Sequence, residues 1–331
     1  MKKEFLQYAQ CFSCASDFDL EISEVCSVNP DEIMSGFLRC ASCEFAFPIV
    51  RGVPRILPKK IDPGVALTSE NFGNEWTIFN KRTDAHTDQL ENWLQPLPQG
   101  FLKGKRIIDF GCGMGRNPLY FAENGAEVVV GIDVSHAVDA AFENTKHLKN
   151  IHIVQADIYH PPTKRSFDFG FSLGVLHHLP DPRKGFGHLV SVTEKGATIF
   201  VWVYGLENNN WIVKWITPFR EKISSRMSPR VLKVLSYFVT CLLYFLIHFI
   251  YFPISKILPN LSKHLFYRDY LLYNSHYSFS EVHLIVYDHL TAPIAHYISR
   301  EEIGDWFVES GVRLDQVIWH NKNSWTAIGC K

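Results

Sequence analysis

Lys105 to Asn117 read KRIIDFGCGMGRN, and this stretch constrains the fold more than any other. Arg106 to Phe110 form a short apolar run of strand character, and NPLYFAEN behind it has helix character and stops at Gly125. Between them Asp109, Gly111, Gly113 and Gly115 spell D-x-G-x-G-x-G. Glycines at alternate positions remove side chains where the backbone must turn sharply, and they let a ligand lie against it. Strand, glycine loop and helix begin a layered α/β unit. The loop alone does not name its ligand, because nucleotide cofactors of many kinds use one.

Downstream segments narrow the choice. AEVVVGID ends in Asp133, about twenty residues past the loop, where a carboxylate can accept hydrogen bonds from ribose hydroxyls. IHIVQAD ends in Asp157, and FDFGFSLGVLHHL ends in a histidine pair. Strand, loop and helix repeated in this way predict a parallel sheet with its ligand crevice at the carboxyl ends of the strands. A nicotinamide dehydrogenase is the rival, but the spacing here is G-x-G-x-G and the acid stands two residues before the first glycine. The C-terminal RLDQVIWHNKNSWTAIGCK reads as two strands joined at Asn321–Asn323.

Over about residues 70–205 and 280–330 the chain resembles class I S-adenosylmethionine-dependent methyltransferases. The resemblance implies an α/β, Rossmann-like seven-stranded sheet with helices on both faces. It also implies that the loop from Asp109 through Phe110, Gly111, Cys112 and Gly113 to Gly115 holds the methionine end of the cofactor. Asp133 with Val134 would take the ribose and Asp157 with Ile158 the adenine, while Leu173 and Trp76 would complete the enclosure. A sulfonium methyl is already electrophilic, so the protein mainly has to align a nucleophile and take its proton. His177 and His178 are the candidate bases, with Asp181 to orient them.

The first sixty residues carry C-x2-C twice, Cys11 with Cys14 and Cys40 with Cys43. Two such knuckles complete a tetrahedral Zn2+ shell, and a piece this small gains from a structural metal. With GFLRCASC and the FPIVRGVPRILP tail, residues 6–60 resemble the zinc ribbons that accompany methyltransferases, where the ribbon is structural or binds a protein partner. MKKEFLQYAQ has no signal-peptide core, so reduced cysteines and a cytoplasmic setting are expected. The domain reading is a ribbon at 1–60 and a linker with a helical arm at 61–105. A cofactor-binding core follows at 106–205, then a helical insertion between strands 5 and 6 at 206–280, and the end of the core with its hairpin at 281–331.

The insertion contains LSYFVTCLLYFLIHFIYFPI, Leu235 to Ile254, sixteen apolar residues in twenty and no charge. Such a helix is long enough to span a bilayer. Strand five precedes it and the strands completing the same sheet follow it, so a single crossing would divide one sheet between two compartments. Nine Lys/Arg against three acids make residues 206–280 basic, with Arg220, Lys222, Arg226, Arg230, Lys233 and Lys256 flanking the run. The expectation is a lid over the acceptor site, peripheral on the inner face of the membrane, with a small or lipid-like acceptor. The formal net charge of −1 argues against nucleic acid. An RNA methyltransferase of ribosomal type is the alternative, as is a non-catalytic scaffold that binds cofactor and recruits a partner through its ribbon.

Overall fold

The structure, a computed structural model, describes residues 1–27, 29–74 and 87–331 in full, and only the helical backbone of 75–78 and 84–86. The chain opens with an antiparallel meander, β1 (Phe18–Val25), β2 (Ile33–Cys40), β3 (Ala46–Val50) and β4 (Val53–Ile56). Helices α1 (Pro63–Ile78) and α2 (Asp84–Leu94) lead to the core. The core alternates β5 (Arg106–Phe110), α3 (Arg116–Glu123), β6 (Val128–Asp133), α4 (Ala137–Thr145), β7 (Ile151–Ala156), β8 (Phe167–Leu173), α5 (Pro182–Ser191) and β9 (Thr193–Tyr204). Strands β5 to β9 pair in parallel and are almost wholly buried, which is why they read as apolar runs and not as alternating patterns.

The sheet has eleven strands, in the order β1-β2-β3-β4-β7-β6-β5-β8-β9-β11-β10, where seven were expected. The last seven positions are the expected core sheet. The other four are the ribbon, whose β4 pairs in parallel with β7 through Arg55↔Gln155 and Ile56↔Ala156. Docking there covers an edge of the core that would otherwise present unpaired peptide groups. Arg55 secures the joint, donating to Gln155 Oε1 at 3.1 Å and pairing with Asp139.

After β9 the chain leaves for α6 (Thr217–Lys222), α7 (Pro229–Phe245), α8 (Phe252–Ile257), α9 (Pro259–Ser262), α10 (Arg268–Tyr273) and α11 (Phe279–Thr291). The helical layer therefore continues to Thr291, because Ser278 and Glu281 form a capping box that starts one more helix. The chain then returns through α12 (Arg300–Glu309) to β10 (Arg313–His320) and β11 (Ser324–Cys330). Strand β11 pairs antiparallel with β9, Ser324 opposite Tyr204, so the strands on either side of the insertion are direct neighbours. A buried polar joint ties the insertion to this hairpin: Tyr267 donates to Asn209 Oδ1 at 2.5 Å and receives the Asn323 amide.

Helices α7 and α8 run on as one helical rod, Pro229–Ile257, with a π turn at Leu246–Tyr251. Its most apolar stretch has a mean hydropathy of 1.9, yet only 17 % of that stretch is buried. Unlike an ordinary amphipathic helix the rod is apolar on both faces, with Leu232 and Ile247 buried beside inward hydroxyls. Ser236 and Thr240 face inward, and Ser236 Oγ meets His283 Nε2 of α11 at 2.8 Å. Phe238, Leu242, Phe245 and Phe249 face outward and are more than half exposed. Of the flanking cations, Arg220 is fully buried and belongs to the interior, not to the basic rim.

Candidate active site

The sheet order reverses beside β5, and the crevice opens there at the carboxyl ends of β5 and β8. At Gly111 the backbone has φ +85°, and a Cβ would lie 2.3 Å from Val175 Cγ2, so only glycine fits. The Gly111 and Cys112 N–H groups donate to Ile132 O at 2.8 and 3.0 Å, which closes the loop against β6. Asp133 then fixes the turn from the other side, accepting from Gly113 N at 2.9 Å and Ser135 N at 2.8 Å.

The loop is one wall of a cavity of ≈ 300 Å³. Gly111, Cys112, Gly113, Asp133, Val134, Ile158 and Leu173 all line it. Phe110, Asp109, Gly115 and Asp157 do not. Phe110 is core, and Gly115 starts α3 from a left-handed conformation. Asp109 is fully buried under the loop, and burial, then the nearby Asp133, hold its carboxyl well above the usual range. Asp157 turns into its own loop, accepting from Tyr159 N at 2.9 Å and meeting His160 Nδ1 at 3.1 Å. Trp76 sits in α1, but its side chain lies outside the described residues. Glycine backbone, a carboxylate at the end of β6 and apolar side chains beyond it fit an adenosyl cofactor with a charged tail.

On the acceptor side the two histidines part company. His178 lines the cavity, and its Nδ1 meets Ile294 O at 2.6 Å. His177 is fully buried behind it, 4.0 Å centroid to centroid from the Tyr204 ring, and neither ring nitrogen has a hydrogen-bond partner among the described residues. Burial holds both imidazoles neutral, pushing His178 down to about 3. A base whose conjugate acid is that strong takes up a proton poorly. Asp181 caps α5, accepting from Lys184 N at 3.0 Å, so it shapes a helix and orients neither histidine.

Aromatic rings form much of the remaining wall. Trp93 and Trp202 stand 4.8 Å apart between centroids, and Tyr204, Tyr270, Tyr273 and Tyr277 continue the wall. Among them sits Asp288 of α11, accepting from Tyr204 Oη at 2.9 Å. None of these was singled out from sequence. The one available signal was Asp288-His289, an acid–histidine pair set inside an apolar helix.

Outside the lining of this crevice, the four ribbon cysteines converge, their Sγ atoms within 4.8 Å of one another. Cys11 and Cys43 are 3.5 Å apart, and Cys14 and Cys40 3.3 Å. The edge of a tetrahedron with Zn–S of about 2.3 Å is roughly 3.7 Å, so the donor set fits zinc.

Residues 108–201 match the family model described as Methyltransferase domain. Among curated proteins, tRNA U34 carboxymethyltransferase of Pseudoalteromonas translucida is 35% identical over 158 residues, 47% of this chain and 46% of that protein. The protein of the same name from Shewanella baltica is 30% identical over 163 residues, 43% of this chain and 46% of its own length. The chain thus spans less than half of the curated relatives it matches. Among solved structures, magnesium protoporphyrin IX methyltransferase of Synechocystis aligns with a TM-score of 0.48 at 13% identity, over 81% of this chain and 99% of that one.

These relatives overturn the expectation of a small or lipid-like acceptor, and with it the exclusion of nucleic acid. Net charge averages over the whole chain, whereas recognition is local, so it does not decide the acceptor.

Proposed function

From the methyltransferase domain of residues 108–201 we propose that the chain is an S-adenosylmethionine-dependent enzyme whose acceptor is RNA. One observation carries the reading. The glycine-loop crevice continues without a break into an aromatic chamber under α10 and α11, large enough for a planar base. Bases unstacked from RNA are held by aromatic side chains in this manner, and the curated relatives, named for a tRNA, support it. Gly111 to Gly113 with Asp133 and Val134 would hold the cofactor, which supplies an activated methyl group. The chain's own residues position the acceptor and exclude water. The ribbon would hold one structural zinc.

Incubation with methyl-labelled cofactor and fractionated cell extract tests this. Label is expected in nuclease-sensitive RNA. Label confined to lipid, protein or small molecules would overturn the RNA acceptor.

The outward apolar face of Pro229–Ile257 supports a cytoplasmic location against the inner face of the membrane. Lys222, Arg226, Arg230 and Lys233 are exposed at its start, where anionic head groups would meet them. Cosedimentation with vesicles containing about one-third anionic lipid is expected, lowered about tenfold or more by Leu242→Glu with Phe249→Glu. Equal recovery of the chain in the supernatant with and without vesicles refutes the location.

A further inference from the structure

We propose that Asp288 is the proton acceptor for the acceptor group, held in place by Tyr204. The inference deepens the RNA reading and rests on it for the kind of acceptor only. Asp288 comes from α11 of the insertion and Tyr204 from the end of β9, so the pair joins the lid to the cofactor-binding sheet. Tyr204 Oη donates to Asp288 Oδ2 at 2.9 Å, and the carboxylate has no other hydrogen bond among the described residues. Asp288 lines the chamber that it shares with Gly111, Gly113 and Asp133.

The surroundings suit that task. Tyr204 of β9, Tyr270 of α10 and Tyr297, which precedes α12, act on the carboxyl, His289 stacks on the Tyr204 ring, and Arg116 and Arg220 act at longer range. Burial pushes Asp288 up to about 6, against the Tyr204 hydrogen bond and the two guanidinium groups, which pull it down. His289 is pushed down to about 4 by burial and then by Arg220, so it stays neutral when Asp288 ionises. A carboxylate with this affinity for a proton is a better base near neutrality than either buried histidine.

The step balances without another reagent. As the acceptor's lone pair forms its bond to the methyl carbon, the carbon–sulfur bond breaks with its electrons on sulfur, and the acceptor's proton passes to Asp288. The carboxylic acid so formed returns its proton to water after product leaves. Tyr204 is a positioning residue, because it acts through Asp288.

Asp288→Asn and Tyr204→Phe test the assignment, each with three readouts: calorimetric binding of S-adenosylhomocysteine, the pH profile of label transfer, and infrared titration of the carboxyl. Asp288→Asn is expected to bind S-adenosylhomocysteine within about threefold of the unmodified chain and to transfer label about 10²–10³-fold more slowly. The unmodified chain should lose activity as pH falls through about 6, with a protonated carboxyl appearing over the same range. Both signals should vanish in Asp288→Asn. Tyr204→Phe removes a bond that favours the ionised form, so the acid limb should move to higher pH. Asp288→Asn turnover within about threefold and with an unchanged acid limb overturns the proposal, as does an acid limb unmoved in Tyr204→Phe. Label that enters a fraction other than RNA and is lost in Asp288→Asn would remove the RNA acceptor and leave Asp288 standing.

Discussion

Gly111→Ala is expected to abolish cofactor binding, lowering affinity for S-adenosylhomocysteine by about 100-fold or more. Two costs add. The left-handed φ of +85° disfavours any Cβ by about 1–2 kcal/mol. The new methyl would also stand 2.3 Å from Val175 Cγ2, with Val175 Cγ1 and Cβ close behind. Overpacking of that kind costs about 1–3 kcal/mol. The loop's only relief is to swing away from Ile132 and Asp133, and that withdraws the backbone a cofactor would lie on. Adding Val175→Ala should recover stability and leave the φ cost, so the double variant stays weaker than the unmodified chain. Calorimetry and a denaturant midpoint check both halves. Binding within threefold in Gly111→Ala would show that the loop is not the cofactor cradle.

Replacing Cys40 with Ser should remove the metal and unfold the ribbon, the second large effect. Structural zinc in small ribbons contributes about 10 kcal/mol or more of folding free energy at neutral pH. Here the loss should spread further than in a tethered ribbon, because β4 is at once the last ribbon strand and the edge partner of β7. Once β4 is released, β7 is left as an open edge, which invites aggregation. Metal analysis should find about one zinc per chain, falling to near none in the variant. Limited proteolysis should then cut within the first sixty residues. A metal-free unmodified chain whose ribbon resists protease would refute the structural zinc.

The parts of the site legible in sequence were those carried by consecutive residues. The glycine loop, Asp133 at the end of β6 and the paired C-x2-C knuckles each lie within a few residues, and local geometry leaves them few conformations. Side chains one turn further on were less legible. Asp157 and Asp181 occupy the expected strand and helix ends, but they satisfy nearby backbone N–H groups instead of lining the cavity. His177 and His178 are adjacent, yet only one reaches the chamber, because in the 3-10 turn from Leu176 to His178 the His177 ring lies behind that of His178, 4.2 Å away centroid to centroid.

By itself, the sequence determined the α/β class, the glycine loop and the cysteine cluster. Each follows from spacing along the chain or from the order of strands. Only the tertiary structure decided that the ribbon extends the sheet, that α7 turns its hydroxyls inward and its phenylalanines outward, and that Asp288 meets Tyr204. Those outcomes depend on which face of an element finds a partner. Residues 84 positions apart, such as Tyr204 and Asp288, become neighbours only when the insertion packs back on the sheet.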